Sequence, residues 1–127
     1  MRIRTRITAA TAIAALAAIA LASGLPEGAS TPAARAATTT KVTFGEYFYK
    51  PKKVTISVGD SVRFVNVGKI EHTVADSSKS GTIRSRIIRP RPLKHGAAQT
   101  VRFRKRGTVY YLCTFHPGLM RGIVVVR

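Results

Sequence analysis

An all-β sandwich behind a short cleavable leader is the fold class this chain predicts, and two observations carry that reading. From about Lys41 onward, apolar residues recur at every second position in short runs, and Gly and Pro break those runs at intervals too short for helices. No window beyond the leader holds a 3.6-residue apolar stripe, and no internal repeat is present.

The leader is residues 1–36. Arg2, Arg4 and Arg6 form a basic start, Ile7 to Ala22 is an Ala/Ile/Leu run, and Ala34-Arg35-Ala36 places small residues at both positions of an A-x-A cleavage pattern. The apolar run is shorter than the ~20 residues a spanning helix needs, so a helical signal peptide is expected rather than an anchor. It holds no adjacent arginine pair and no cysteine for a lipid. Cleavage after Ala36 leaves 37–127, which is 91 residues and one domain. Secretion or a periplasmic location follows from that reading.

Residues 23–40 lack periodicity and read as cleavage region and loose lead. Val54, Ile56 and Val58 then alternate with polar residues, Gly59-Asp60 turns, and Val62, Phe64 and Asn66 alternate again, giving two short strands around a turn. Val101 and Phe103 alternate with arginines, Arg106-Gly107 turns, and Val109, Tyr111 and Cys113 share one face of the next strand. The β-branched run Ile123 to Val126 closes the sheet.

Residues 77–99 differ. They are basic and interrupted by Pro90 and Pro92, so they predict a surface loop with at most one short edge strand around Ile87 and Ile88. The whole chain carries 22 Lys and Arg against five Asp and Glu. Losing residues 1–36 removes Arg2, Arg4, Arg6, Arg35 and Glu27, leaving 18 against four, a net +14. Charge of that sign, densest in 84–106, attracts acidic surfaces and raises encounter rates. An acidic protein partner and a weak association with an anionic envelope surface are expected. The basic run has little aromatic interleaving, so no nucleic-acid partner is expected.

A small exported domain ordinarily uses cysteines in pairs, yet Cys113 stands alone. Its neighbours explain it. Cys113-Thr114-Phe115-His116-Pro117-Gly118-Leu119-Met120 sets a thiol, an imidazole and a thioether within one turn, and His72 lies upstream in Glu71-His72-Thr73-Val74. Two imidazoles and a thiolate in a plane with a weak axial thioether suit one copper ion passing between Cu(I) and Cu(II). Pro117 and Gly118 supply the bend that returns His116 and Met120 toward Cys113. The expected ligands are His72, Cys113, His116 and axial Met120. His95, in Lys94-His95-Gly96, reads as a solvated loop residue.

The stretch from Phe48 to Val126 resembles the cupredoxins, in particular the plastocyanin, amicyanin and pseudoazurin group. The matching text is Pro51, Val54, Ile56 and Val58-Gly59-Asp60 through Asn66; His72-Thr73-Val74; Gly107-Thr108 with Tyr111, Cys113-Thr114 and His116-Pro117-Gly118; and Gly122-Ile123-Val124-Val125. The resemblance implies a Greek-key β-sandwich with a type 1 blue copper site at one end, and a carrier of single electrons rather than an enzyme. It also implies transient docking of a redox partner near His116 and a monomeric state. Three departures stand out: Thr73 where many relatives have Asn after the histidine, Leu112 where some have an aromatic residue before the cysteine, and a His116-to-Met120 spacing that differs by one residue from several relatives. Sequestration or delivery of copper by the same ligands is the alternative function, and a copper-free adhesion sandwich is a more distant one.

Overall fold

The period-two text becomes eight strands. This computed structural model describes residues 35–127, so the expected leader lies outside the described residues except for its last two positions. One sheet has the order β2 (Phe48–Lys50), β1 (Thr39–Gly45), β4 (Ser61–Asn66), β6 (Ala98–Arg102). The other runs β3 (Lys53–Ile56), β8 (Arg121–Val126), β7 (Gly107–Leu112), β5 (Ala75–Ser77). Alternation sets which residues meet between them. Val42, Phe44, Val62, Phe64 and Val101 of the first sheet and Val54, Ile56, Tyr111, Val124 and Val126 of the second belong to one buried core. Phe44 and Phe64 are fully buried, which stabilises the fold by about 1.5–3 kcal/mol each.

Tyr111 bridges the layers, its ring centroid 4.8 Å from that of Tyr49 and 5.1 Å from that of Phe64. The ring lies over Gly122, its cross-strand partner, where any Cβ would overlap it. That glycine is therefore a packing requirement of the aromatic opposite.

Two turns expected between adjacent strands prove to be crossings. β3 and β4 flank Ser57–Asp60 but belong to different sheets, as do β6 and β7 on either side of Arg106. Antiparallel neighbours can share a tight hairpin, but here β1 pairs in parallel with β4 and β3 in parallel with β8, so the chain must change layers. Gly59 adopts φ +92° at the first crossing, a left-handed conformation that a side chain would strain.

The basic connection has no strand at Ile87 and Ile88. Their amides donate to Oδ1 of buried Asp76 at 2.8 and 2.7 Å, so they are spent on a carboxylate rather than on a sheet ladder. Ile88 is buried by this anchoring, whereas Ile87 stays half-exposed. The lead is also shorter than expected: β1 begins at Thr39, and the Thr38 carbonyl accepts from the Ser61 amide at 2.9 Å.

Asp60 ties that lead to the first crossing. Its carboxylate accepts the Thr38 amide at 3.0 Å and the Ser57 amide at 3.0 Å, and pairs with Arg35 at 2.6 Å. The two amides, with the guanidinium beside them, hold its pKa well below the usual carboxylate range. A depressed folded pKa stabilises the fold above the unfolded value near ~3.9, and the contribution is lost as pH falls through that region and below. Asp60→Asn should therefore melt lower than the parent at pH 7, with the difference closing as pH drops below about 4. Thermal melts across that range check it; a constant difference would contradict it.

Candidate metal centre

The strand ends at one pole of the sandwich deliver the sulfur and both imidazoles to one point. Cys113 follows the last residue of β7 and is fully buried. The loop beyond it is clipped shut by its own backbone: the Cys113 amide donates to the Met120 carbonyl at 3.1 Å, and the Leu119 and Met120 amides donate to the His116 carbonyl at 3.0 and 3.1 Å. Met120 is fully buried within the core cluster, while Phe115 and Leu119 point outward.

His72 arrives from the connection between β4 and β5. Asn66, at the end of β4, organises that connection from inside. Its Nδ2 donates to the Ile70 carbonyl at 2.8 Å and the Leu93 carbonyl at 2.7 Å, and its Oδ1 accepts the Gly68 amide at 2.8 Å. Every polar atom of this buried side chain is thus satisfied, which makes burial tolerable and the loop well defined. Leu93 in turn exchanges backbone bonds with His72 at 3.2 and 2.8 Å.

The Nδ1 atoms of His72 and His116 each lie 3.9 Å from Cys113 Sγ, and one donor atom from each of the three residues lies within 4.8 Å of the others. A trigonal ion with metal–sulfur and metal–nitrogen bonds of ordinary length sets a sulfur–nitrogen separation of about 3.8 Å. The spacing therefore suits an ion shared between them, and the soft thiolate beside two imidazoles suits copper.

The surrounding groups hold these donors in place. The Thr73 amide donates to Cys113 Sγ at 3.4 Å, and the Thr73 hydroxyl oxygen accepts the Thr114 amide at 2.7 Å. Thr73 thus joins the two ligand segments. Tyr49 donates its buried hydroxyl to the Thr73 carbonyl at 2.6 Å; burial, with the Cys113 charge adding, drives that phenol's pKa upward, so it stays a donor.

Glu46 went unnoticed in the sequence because it lies 26 residues from His72 in an ordinary turn. Its Oε1 sits 3.2 Å from His72 Nε2 and accepts the Ile70 amide at 2.8 Å. A carboxylate only accepts, so Nε2 carries the proton and the Nδ1 lone pair is left free on the side of Cys113, where an ion would take it. The Ile70 amide, with the His72 ring assisting, holds the Glu46 pKa below the usual carboxylate range, so it stays charged at neutral pH.

His72 is fully buried and His116 only partly. The Tyr47 ring packs against His116 with centroids 4.7 Å apart, and Tyr47, Phe115 and Leu119 are all about half or more exposed. His95 is exposed, with Nδ1 2.7 Å from the Gly68 carbonyl, and it stands outside the donor cluster.

Asn66→Ala strands the Gly68 amide and the Ile70 and Leu93 carbonyls. It should cost about 2–4 kcal/mol of stability, read by denaturant unfolding. Glu46→Gln keeps the shape but removes the charge behind His72, and should weaken copper retention about 10- to 100-fold in chelator competition.

The chain matches the family model for copper binding proteins of the plastocyanin/azurin family over residues 36–127. Amicyanin of Paracoccus versutus is 34% identical over 79 residues, which is 62% of this chain and 58% of that protein, so the aligned part spans less than two thirds of that relative. Amicyanin-alpha of Methylorubrum extorquens is 32% identical over 115 residues, 90% of this chain and 94% of that protein. Among solved structures, a purple cupredoxin from Nitrosopumilus maritimus superposes with TM-score 0.64 at 26% identity, covering 69% of this chain and 99% of the other. Amicyanin from Paracoccus versutus superposes with TM-score 0.60 at 29% identity, covering 70% and 81%. The family match takes in all of His72, Cys113, His116 and Met120, and with it this chain belongs to the plastocyanin/azurin family of copper-binding proteins.

Proposed function

We propose that the protein is an electron carrier whose copper would be held by His72, Cys113 and His116, with Met120 as a further, weaker ligand. The observation that carries this reading is the closure of the donor cluster: His72 and Cys113 are fully buried, Met120 is buried in the adjoining core, and the imidazole of His116 alone reaches toward solvent. When bound, the ion supplies a one-electron couple. The chain supplies a cage that resists rearrangement between the two oxidation states, through the clipped 113–120 loop, the Asn66 staple and the Thr73 bonds. No substrate bond need be made, and the relatives named amicyanin are small copper proteins of this same fold.

Docking is proposed at the half-exposed ring of residues around His116. A shallow groove of about 180 Å³ beside it is lined by Tyr47, Phe48 and Leu119 with Lys52 and Arg121 at its edge, a surface suited to a redox protein with an apolar contact and acidic rim. Such encounters bury less than ~1,200 Å2 and dissociate quickly, as a carrier requires.

Export is part of the proposal. Removal of residues 1–36 would leave 37–127 as the copper domain, and it would take Arg35 from Asp60 while leaving both amides on that carboxylate. Intact mass of the protein recovered outside the cytoplasm checks the cleavage point.

The central test is a visible spectrum of the copper-loaded protein beside Cys113→Ser, together with voltammetry. An intense thiolate-to-copper band that vanishes in the variant, with fast reversible one-electron waves in the parent, is expected. Sequestration or delivery is favoured instead if the parent is colourless and hands Cu(I) to an apo-acceptor without a reversible wave. Partner reduction should slow markedly as ionic strength rises from about 0.01 to 0.15 M, where the screening length shrinks from about 30 to 8 Å.

A further inference from the structure

Lys94 apart, which follows the Leu93 that pairs with His72, the cations of 84–106 include a group remote from the copper ligands. β7 begins at Gly107 beside the basic turn and ends at Leu112 beside Cys113, so the two poles stand about 20 Å apart. At the pole away from the ligands, Arg86, Arg102, Arg104 and Lys105 border a groove of about 400 Å³. Arg106 and Arg127 are exposed nearby, where Gly107 pairs with Val126. The floor is apolar, formed by buried Phe103 and partly buried Val109, and Ile87 projects at its rim with half its surface exposed.

Among the described residues, no side-chain carboxylate answers this charge. Of the four acidic residues among the described residues, Asp60 and Asp76 are buried and occupied by backbone amides, while Glu46 and Glu71 lie beside His72 at the opposite pole. The one lysine or arginine ion pair among the described residues is Arg35 with Asp60. Of the four groove cations, Arg102 is partly engaged, donating from Nε to the Gly59 carbonyl at 3.1 Å.

We propose that this pole is a docking surface for an anionic phospholipid bilayer, which would hold the protein with its copper end turned away from the membrane. Three of the four groove cations are arginines, whose planar forks match the paired oxygens of a phosphodiester. The exposed Ile87 among them fits the boundary between headgroups and acyl chains, where an apolar tip is accepted and the surrounding cations remain at phosphate level. An acidic protein would meet an open, one-signed surface whose lining side chains carry no acceptor to orient it. Each cation at an anionic surface multiplies partitioning by about fivefold at moderate salt. The result is a reversible tether, separate from the His116 docking ring, so the protein can exchange electrons while attached.

The experiment is co-sedimentation of the copper-loaded protein, in its naturally processed form, with phosphatidylcholine vesicles with and without phosphatidylglycerol, at about 0.15 M salt. Two triple variants remove equal charge: Arg86→Gln/Arg104→Gln/Lys105→Gln at the groove, and Lys50→Gln/Lys69→Gln/Lys94→Gln near the copper end. Retained copper absorbance reports that each is folded. Binding is expected only with phosphatidylglycerol, reduced at least about tenfold in the groove variant and less than about threefold in the other, and Ile87→Ser should weaken it with no charge removed. Equal losses in the two triple variants would mean that net charge alone is responsible, and would overturn the proposal. So would failure of the parent to bind, or a groove that binds polyglutamate but not vesicles, which would make the occupant an acidic polypeptide.

Discussion

Thr73 is the join on which the centre depends. Its amide reaches the sulfur of Cys113 and its hydroxyl oxygen takes the Thr114 amide, so the segment carrying one histidine is bonded directly to the segment carrying the thiol, 40 residues away. Without such a bond, the two segments would meet only through side-chain packing and an ion. Buried amides need acceptors, and a thiolate is a large, polarizable one; the same contact satisfies the backbone and orients the ligand. Tyr49 extends the join by donating to the Thr73 carbonyl and packing edge-to-face against Tyr111, which carries the constraint into the middle of the sandwich.

The legible part of this architecture is the part written in local periodicity. Val54 with Ile56, Val62 with Phe64, and the run to Val126 announce strands because their alternation is a property of neighbouring residues. Cys113, His116 and Met120 are similarly visible, since one turn holds all three. What alternation does not encode is the partner of each strand. The Gly59-Asp60 turn has the composition of a hairpin, yet it is a change of layer fixed by parallel pairing of β1 with β4, a contact between distant segments. Ile87 and Ile88 have the composition of an edge strand, but their amides go to Asp76, and nothing in their own residues signals that carboxylate. Glu46 is hidden for the same reason: its role is defined only once β1 and the His72 loop lie side by side.

Charge is partitioned as sharply as packing. Carboxylates are few, and three of them have definite structural roles. Asp60 and Asp76 accept amides that have left the sheets, and Glu46 faces a ligand imidazole. The arginines meanwhile sit on exposed loop and strand positions where their charge stays solvated. A strongly cationic body remains foldable because its acids are used to organise turns rather than to neutralise the surface.

Two of these contacts would pull the couple of a bound copper in opposite directions. The Thr73 N–H draws electron density from the sulfur, which lowers its donor strength and favours the reduced ion; the Glu46 carboxylate pushes density through His72 Nε2–H and favours the oxidised one. The sulfur bond is backbone-made and survives substitution, whereas the carboxylate is a side chain partly open to solvent. Water screens an exposed charge more than it screens a buried amide dipole. The potential of this site therefore has a fixed contribution from the fold and an adjustable one from Glu46, and the adjustable one lies beside the Tyr47 and His116 rings where a partner would exclude water. A partner docked there, as proposed, would strengthen the influence of Glu46 on His72, so association would shift the couple toward the oxidised ion and favour electron release to an acceptor.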